Sequence, residues 1–152
     1  MVLFSFLLCL VIISLPINTS RAAMDCPPEC CGSETHYEGQ QCAIKVLSTA
    51  EEELRRYLEE SKRLWSDSPE IIKAIDKAQA RWMEFREAAC GAVKEQWMKG
   101  TGSALATLAC KIDLTRRWTH LVWEYFIDGV KGSSFREPKA GDRKKDKGNV
   151  PK

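Results

Sequence analysis

The sequence predicts an all-α fold: a small antiparallel three-helix bundle stapled by disulfides, with an extended N-terminal arm and a disordered basic C-terminal tail. Three observations carry this. Apolar residues at Ile71, Ile75, Ala78, Trp82, Phe85, Ala89 and Val93 fall four, three, four, three, four and four apart, which lays them along one face of an α-helix. Ser66-Asp67-Ser68-Pro69 breaks the helical pattern over only four residues, short enough to place the flanking helices side by side and antiparallel. Cys26, Cys30, Cys31, Cys42, Cys90 and Cys110 follow an apolar leader, an even set that reads as disulfides formed in an oxidising compartment.

The leader runs from Met1 to Ala22. Its apolar run, Val2 to Ile17, is interrupted by Ser5, Ser14 and Pro16, and Ser20-Arg21-Ala22 supplies a small-x-small cleavage site. Residues 1–22 are therefore assigned to a secretory signal peptide, with an uncleaved anchor as the alternative. Cys9 lies inside the run without the small residues that precede a lipid-attachment cysteine. Residues 23–35 hold Pro27, Pro28, Gly32 and three of the cysteines, a composition suited to an extended arm.

The helical domain spans residues 36–130. Its first helix is expected from near Tyr37 to Trp65, burying Ala43, Leu47, Ala50, Leu54, Tyr57 and Leu64. Thr35-x-x-Glu38 offers a capping box at its start, and Ser48-x-x-Glu51 and Thr49-x-x-Glu52 offer later ones. Glu51-Glu52-Glu53 reads as a solvated face with one member available to an arginine on a neighbouring helix. Ser68 is placed to cap the second helix and Pro69 to occupy its first turn. That helix should end near Met98, where Gly100-Thr101-Gly102 permits a stop, and Ser103 should cap the third. The third helix carries Leu105, Leu108, Ile112, Thr115, Thr119, Val122 and Phe126 at helical spacing and stops around Gly129. Antiparallel packing of the first two helices brings Cys42 towards Cys90; Cys31 is then left for Cys110 and Cys26 for Cys30, one choice among fifteen pairings.

Charge divides the chain. Met24 to Val130 carries 14 Lys and Arg against 18 Asp and Glu, and Lys131 to Lys152 carries 8 against 3. The tail, residues 131–152, has a single aromatic, Phe135, and reads as disordered. Its Arg143-Lys144-Lys145-Asp146-Lys147 run suits weak contact with an anionic envelope surface, and solubilisation is the plainer reading. No nucleic-acid partner is expected, and the oligomeric state is open.

Catalysis is not expected. His36 and His120 are isolated, no nucleophile–base pattern appears, and the glutamates stand in charged helical runs. The cysteines are too scattered, and too poorly accompanied by histidine, for a zinc site, so no metal or cofactor is assigned. Beside the apolar row of the second helix lies another, Gln79, Trp82, Arg86 and Cys90, at the edge of the core. These are read as core residues. Arg86 requires a carboxylate, because a buried unpaired charge is costly.

These residues resemble the lysozyme inhibitor LprI family of small exported bacterial domains. The likeness rests on Cys31 and Cys42, on Gln79-x-x-Trp82-x-x-x-Arg86-x-x-x-Cys90, on the Gly100 to Ser103 turn, and on Cys110 followed by Leu114-Thr115. It covers roughly residues 31 to 122. The chain departs from the family pattern at Glu51, Leu54-Arg55, Leu58 and Trp118, and Cys26 and Cys30 are additional to it. The resemblance implies an exported, non-enzymatic cell-envelope protein that blocks a peptidoglycan-cleaving lysozyme by protein–protein contact. The alternative is an envelope interaction or immunity-type module that binds a different exported protein. The turn Lys99, Gly100, Thr101, Gly102 and Ser103 is the candidate contact surface, because a protruding glycine-rich loop with hydroxyls and a lysine can enter a sugar-binding cleft; a plain helix stop is the competing reading.

Overall fold

The computed structural model describes residues 26–97, 100 and 102–139, so the expected signal peptide, Lys99, Thr101 and the Arg143 to Lys147 run lie outside the described residues. Among the described residues the regular elements are a short 3-10 turn, Pro28–Cys30, and three helices: α1 (His36–Leu64), α2 (Pro69–Gln96) and α3 (Ser103–Phe126). No strand is present among them. No helix in this part is long and apolar enough to cross a membrane.

Local chemistry sets the helix ends, with two corrections. Thr35 and Glu38 form the full capping box at the start of α1: Thr35 Oγ1 accepts from the Glu38 amide at 3.2 Å and Glu38 Oε2 from the Thr35 amide at 3.0 Å. Ser68 does stand at the N-cap of α2 with Pro69 behind it, but its side chain makes no capping bond. Ser103, expected to cap α3, is instead its first residue; Gly102 occupies the cap position and no side chain caps the helix. Neither Gly100 nor Gly102 has a positive φ. Neither glycine uses the left-handed region that glycine uniquely tolerates.

Helix α3 packs against both α1 and α2, while α1 and α2 hardly touch each other. Higher-numbered residues of α1 meet higher-numbered residues of α3: a Cβ added at Gly39 would lie 3.6 Å from Leu105, and Trp65 Nε1 donates to the Phe126 carbonyl at 3.0 Å. Along α2 the order is reversed, from Gln79 with Trp118 to Cys90 with Cys110. Ile112, Thr115, Thr119 and Val122 of α3 are all buried to within 2% exposure, as their spacing predicts, because this stripe has a helix on either side. Small buried residues, Gly39, Ala43 and Ala50 on α1 with Ala106 and Ala109 on α3, let the two backbones approach.

The centrality of α3 corrects the disulfides. The bridges are Cys26–Cys31, Cys30–Cys42 and Cys90–Cys110, not Cys42–Cys90, Cys31–Cys110 and Cys26–Cys30. The expected pairing assumed that consecutive helices pack on one another. Cys90 instead faces α3, and Cys42 on the second turn of α1 meets the arm. The arm is accordingly not extended: it folds into the 3-10 turn, and Cys30 is buried beside Ala43 and Ile112.

The predicted tail begins too early. Gly129 and Gly132 adopt φ of +71° and +90°, and these left-handed residues reverse the chain after α3. The reversed segment lies back on α1: Arg63 donates to the Gly132 carbonyl at 2.9 Å, Tyr57 Oη to the Arg136 carbonyl at 2.7 Å, and Phe135 meets the Tyr57 ring edge-on at 4.9 Å. Glu137 reaches His120 on α3 at 3.0 Å, and Pro138 is buried. Residues 131–139 thus roof the cluster of Leu54, Tyr57, Val122 and Ile127, with Phe135 packed against it. Their apolar content, one phenylalanine and one proline, is too sparse to stand out from a basic tail in sequence.

Two outcomes follow. Truncation after Val130 strips this roof, and losing the burial of Phe135 and the Tyr57 bond should lower stability by about 2–4 kcal/mol, read as a lower denaturant midpoint. Mass spectrometry of a non-reduced digest should recover Cys90–Cys110 alone and Cys26, Cys30, Cys31 and Cys42 linked together; removing Cys90–Cys110 should cost about 3 kcal/mol and removing Cys26–Cys31, which closes a much shorter loop, about 2.

Candidate partner-contact surface

The row Gln79, Trp82, Arg86 and Cys90 is a seam that ties α2 to α3 at every step. Gln79 Oε1 accepts from Trp118 Nε1 at 2.6 Å. The Trp82 and Trp118 rings stack, 5.6 Å apart and 8° from parallel. Arg86 donates from Nη1 to Thr115 Oγ1 at 3.0 Å, and Cys90 is bonded to Cys110. This row replaces the first apolar row as the centre of the helix face. Phe85, expected in the core, is 57% exposed, and Met83 is also outside, because α2 is covered along a single line by a single helix.

Arg86 keeps only 8% of its surface exposed and finds the carboxylate its burial requires. Nη1 also donates to Glu51 Oε1 on α1 at 2.8 Å, Nη2 lies 3.2 Å from Glu87 Oε1, and the guanidinium sits 5.1 Å from the Trp82 ring centroid. Nε is buried without a partner. Glu51 is thus the member of the acidic run that crosses to a neighbouring helix, and a second ion pair, Lys62 with Asp76, also links α1 to α2. A hydrogen bond from Lys111 holds the Glu87 carboxyl below the ordinary carboxylate range against the opposing effect of desolvation, with help from the charges of Lys111 and Arg86. Gln79 Oε1, Trp118 Nε1 and both terminal nitrogens of Arg86 are engaged inside the protein.

The loop singled out in the sequence has local duties in its described part. The Gly100 amide donates to the Trp97 carbonyl at 2.9 Å, and the Trp97 ring lies 3.8 Å from where a Cβ on Gly102 would stand. Ser103 supplies its carbonyl to Thr107 Oγ1 at 2.7 Å.

A different surface was not singled out from the sequence. Where the arm meets the first turns of α1 there is an open groove of about 620 Å³, lined by Ser33 and Glu34 of the arm and by Tyr37, Gln41 and Lys45 of α1. Tyr37 is 69% exposed and Ile44 49%. The arm wall is held by Cys26–Cys31, by Cys30–Cys42, and by an ion pair from Glu29 to Arg116 of α3. Burial pushes the Glu29 carboxyl up, but the Arg116 hydrogen bond and charge, with a backbone bond, hold it below its usual range. A signal for this surface does exist in sequence: Tyr37, Gln41 and Ile44 repeat at four and three, out of phase with the core stripe Ala43, Ala50, Leu54 and Tyr57.

Substitution separates the seam from the surface. Arg86→Ala removes three polar contacts and the packing on Trp82 and should cost about 3 kcal/mol, whereas Glu51→Gln, which leaves Arg86 with Thr115 and Glu87, should cost about 1, both measured by chemical denaturation.

Among the described residues no group of three or more His, Cys, Asp or Glu side chains is placed to hold a metal ion. No curated protein and no solved structure matches the chain. One family does match, and it takes in the arm, all three disulfides, the seam and most of α3: residues 26–120 fit the family described as Lysozyme inhibitor LprI, so the chain belongs to the lysozyme inhibitor LprI family.

Proposed function

We propose that this protein is an exported inhibitor that binds a peptidoglycan-cleaving lysozyme and blocks it by surface contact, without a reaction of its own. The observation that carries the reading is the family match over residues 26–120. The arrangement of the described residues agrees with it: Arg86 and Thr115 are buried in the seam between helices, two bridges fasten the arm to itself and to α1, and the third joins α2 to α3. A rigid body loses little conformational freedom on docking, which favours affinity. Export is part of the proposal, supported by the three disulfides and by the apolar leader of residues 1–22.

Long-range steering contributes less than the acidic count from Met24 to Val130 suggests. The segment 131–139 returns Lys131, Arg136 and Lys139 to the folded body against the single carboxylate of Glu137. Recognition of a cationic lysozyme therefore depends on local charge, which salt screens over about 10 Å.

The test is lysis of a peptidoglycan suspension by c-type, g-type and i-type lysozymes in the presence of the secreted, disulfide-intact protein. Dose-dependent, saturable loss of activity is expected with at least one class, and reduction of the disulfides should abolish it. Full lysis by all three classes in excess protein would sink the proposal and point to a different exported partner.

A further inference from the structure

We propose that the groove between the arm and α1 is where the partner docks, and that it receives an arginine- or lysine-bearing surface loop of a basic muramidase. This rests on the inhibitor reading above and assigns its contact surface.

Two of the three disulfides lie within residues 26–42, and the Glu29–Arg116 ion pair adds a third tie to the same short stretch. α1 and α3 are also joined directly through Ala43, Ile112, Leu54 and Val122. What the ties do is fix the arm as one wall of the groove. A wall held by covalent bonds stays in place when the site is empty, so binding costs little ordering.

The chemistry of the walls names the occupant. Tyr37 presents most of its ring to solvent at the groove, and Ile44 extends the apolar surface along the same side of α1. Aromatic rings of this kind are the usual anchors of protein interfaces. Glu34, exposed on the arm, lines the same groove. Glu38 is also on the groove, with one oxygen engaged by the Thr35 amide. An exposed phenol ring beside carboxylates takes a guanidinium or ammonium, whose charge meets the carboxylate while its flat or methylene surface covers the ring. Lys45, further along α1, sets the polarity, so that the cationic end of the incoming loop lies at Glu34.

The experiment uses the secreted, disulfide-intact protein against a basic lysozyme that it inhibits, with inhibition constants and calorimetric affinities at two salt concentrations. Tyr37→Ala should weaken inhibition about thirtyfold. Glu34→Lys should weaken it about tenfold or more and flatten its salt dependence. Phe85→Ala, an exposed aromatic on α2 away from the groove, should leave inhibition within about twofold. Melting temperatures unchanged in Tyr37→Ala and Glu34→Lys, expected because both side chains are exposed, separate lost contact from lost folding. Undiminished inhibition by both groove variants, or a loss carried by Lys99→Ala instead, overturns the groove assignment and leaves the inhibitor reading standing. A wild-type protein that inhibits no lysozyme class overturns both.

Discussion

The structure depends on one guanidinium placed where three helices converge. Arg86 is buried on α2, bonded to Thr115 on α3 and to Glu51 on α1, and laid near the Trp82 ring. A charge in that position must be matched, since its desolvation is costly and its attraction to a neighbouring carboxylate is the compensation. The match fixes relative position: Glu51 can reach Arg86 only if α1 and α2 flank α3 in the register the structure has. Cys90–Cys110, one turn further along α2, locks the same register covalently. Gln79 and Trp82 extend it towards the other end of the helix through Trp118.

Placing α3 between the other two helices has consequences beyond the seam. With α1 and α2 joined mainly by ion pairs, the apolar interior divides into two clusters, one around Ala43 and Ile112 and the other around Leu54, Tyr57 and Val122. Each cluster borders solvent at one end, and each is closed there by non-helical chain. The arm covers the first through Cys30, and the returning segment covers the second through Phe135. A domain this small buries a limited share of its surface, so such covers and the covalent bridges make up part of what a larger core would supply.

The division of labour between the two covers suits a binding protein. The C-terminal cover is held by hydrogen bonds and ring packing, and its apolar residues face inward. The N-terminal cover is held by covalent bonds and leaves a groove with an exposed tyrosine and glutamate on its walls. In an inhibitor, the rigid feature is the one expected to meet the target.

Much of this could be read from residues alone. Thr35 and Glu38 announce the start of α1, Pro69 that of α2, and the Leu105 to Phe126 spacing the buried face of α3, because caps and periodicity are properties of a few adjacent residues. Cys31 and Cys42, the Gln79 to Cys90 row and Cys110 marked the family for the same reason, and the even cysteine set marked the disulfides. The cysteine partners, the exposure of Phe85 and the return of residues 131–139 were decided only by tertiary structure. Each depends on which helix lies between which others, and helical spacing is silent on that: an amphipathic face states that it must be covered without stating by what. The charge on Arg86 required a carboxylate, and only the packing of α1 and α2 around α3 selected Glu51 from the three adjacent glutamates.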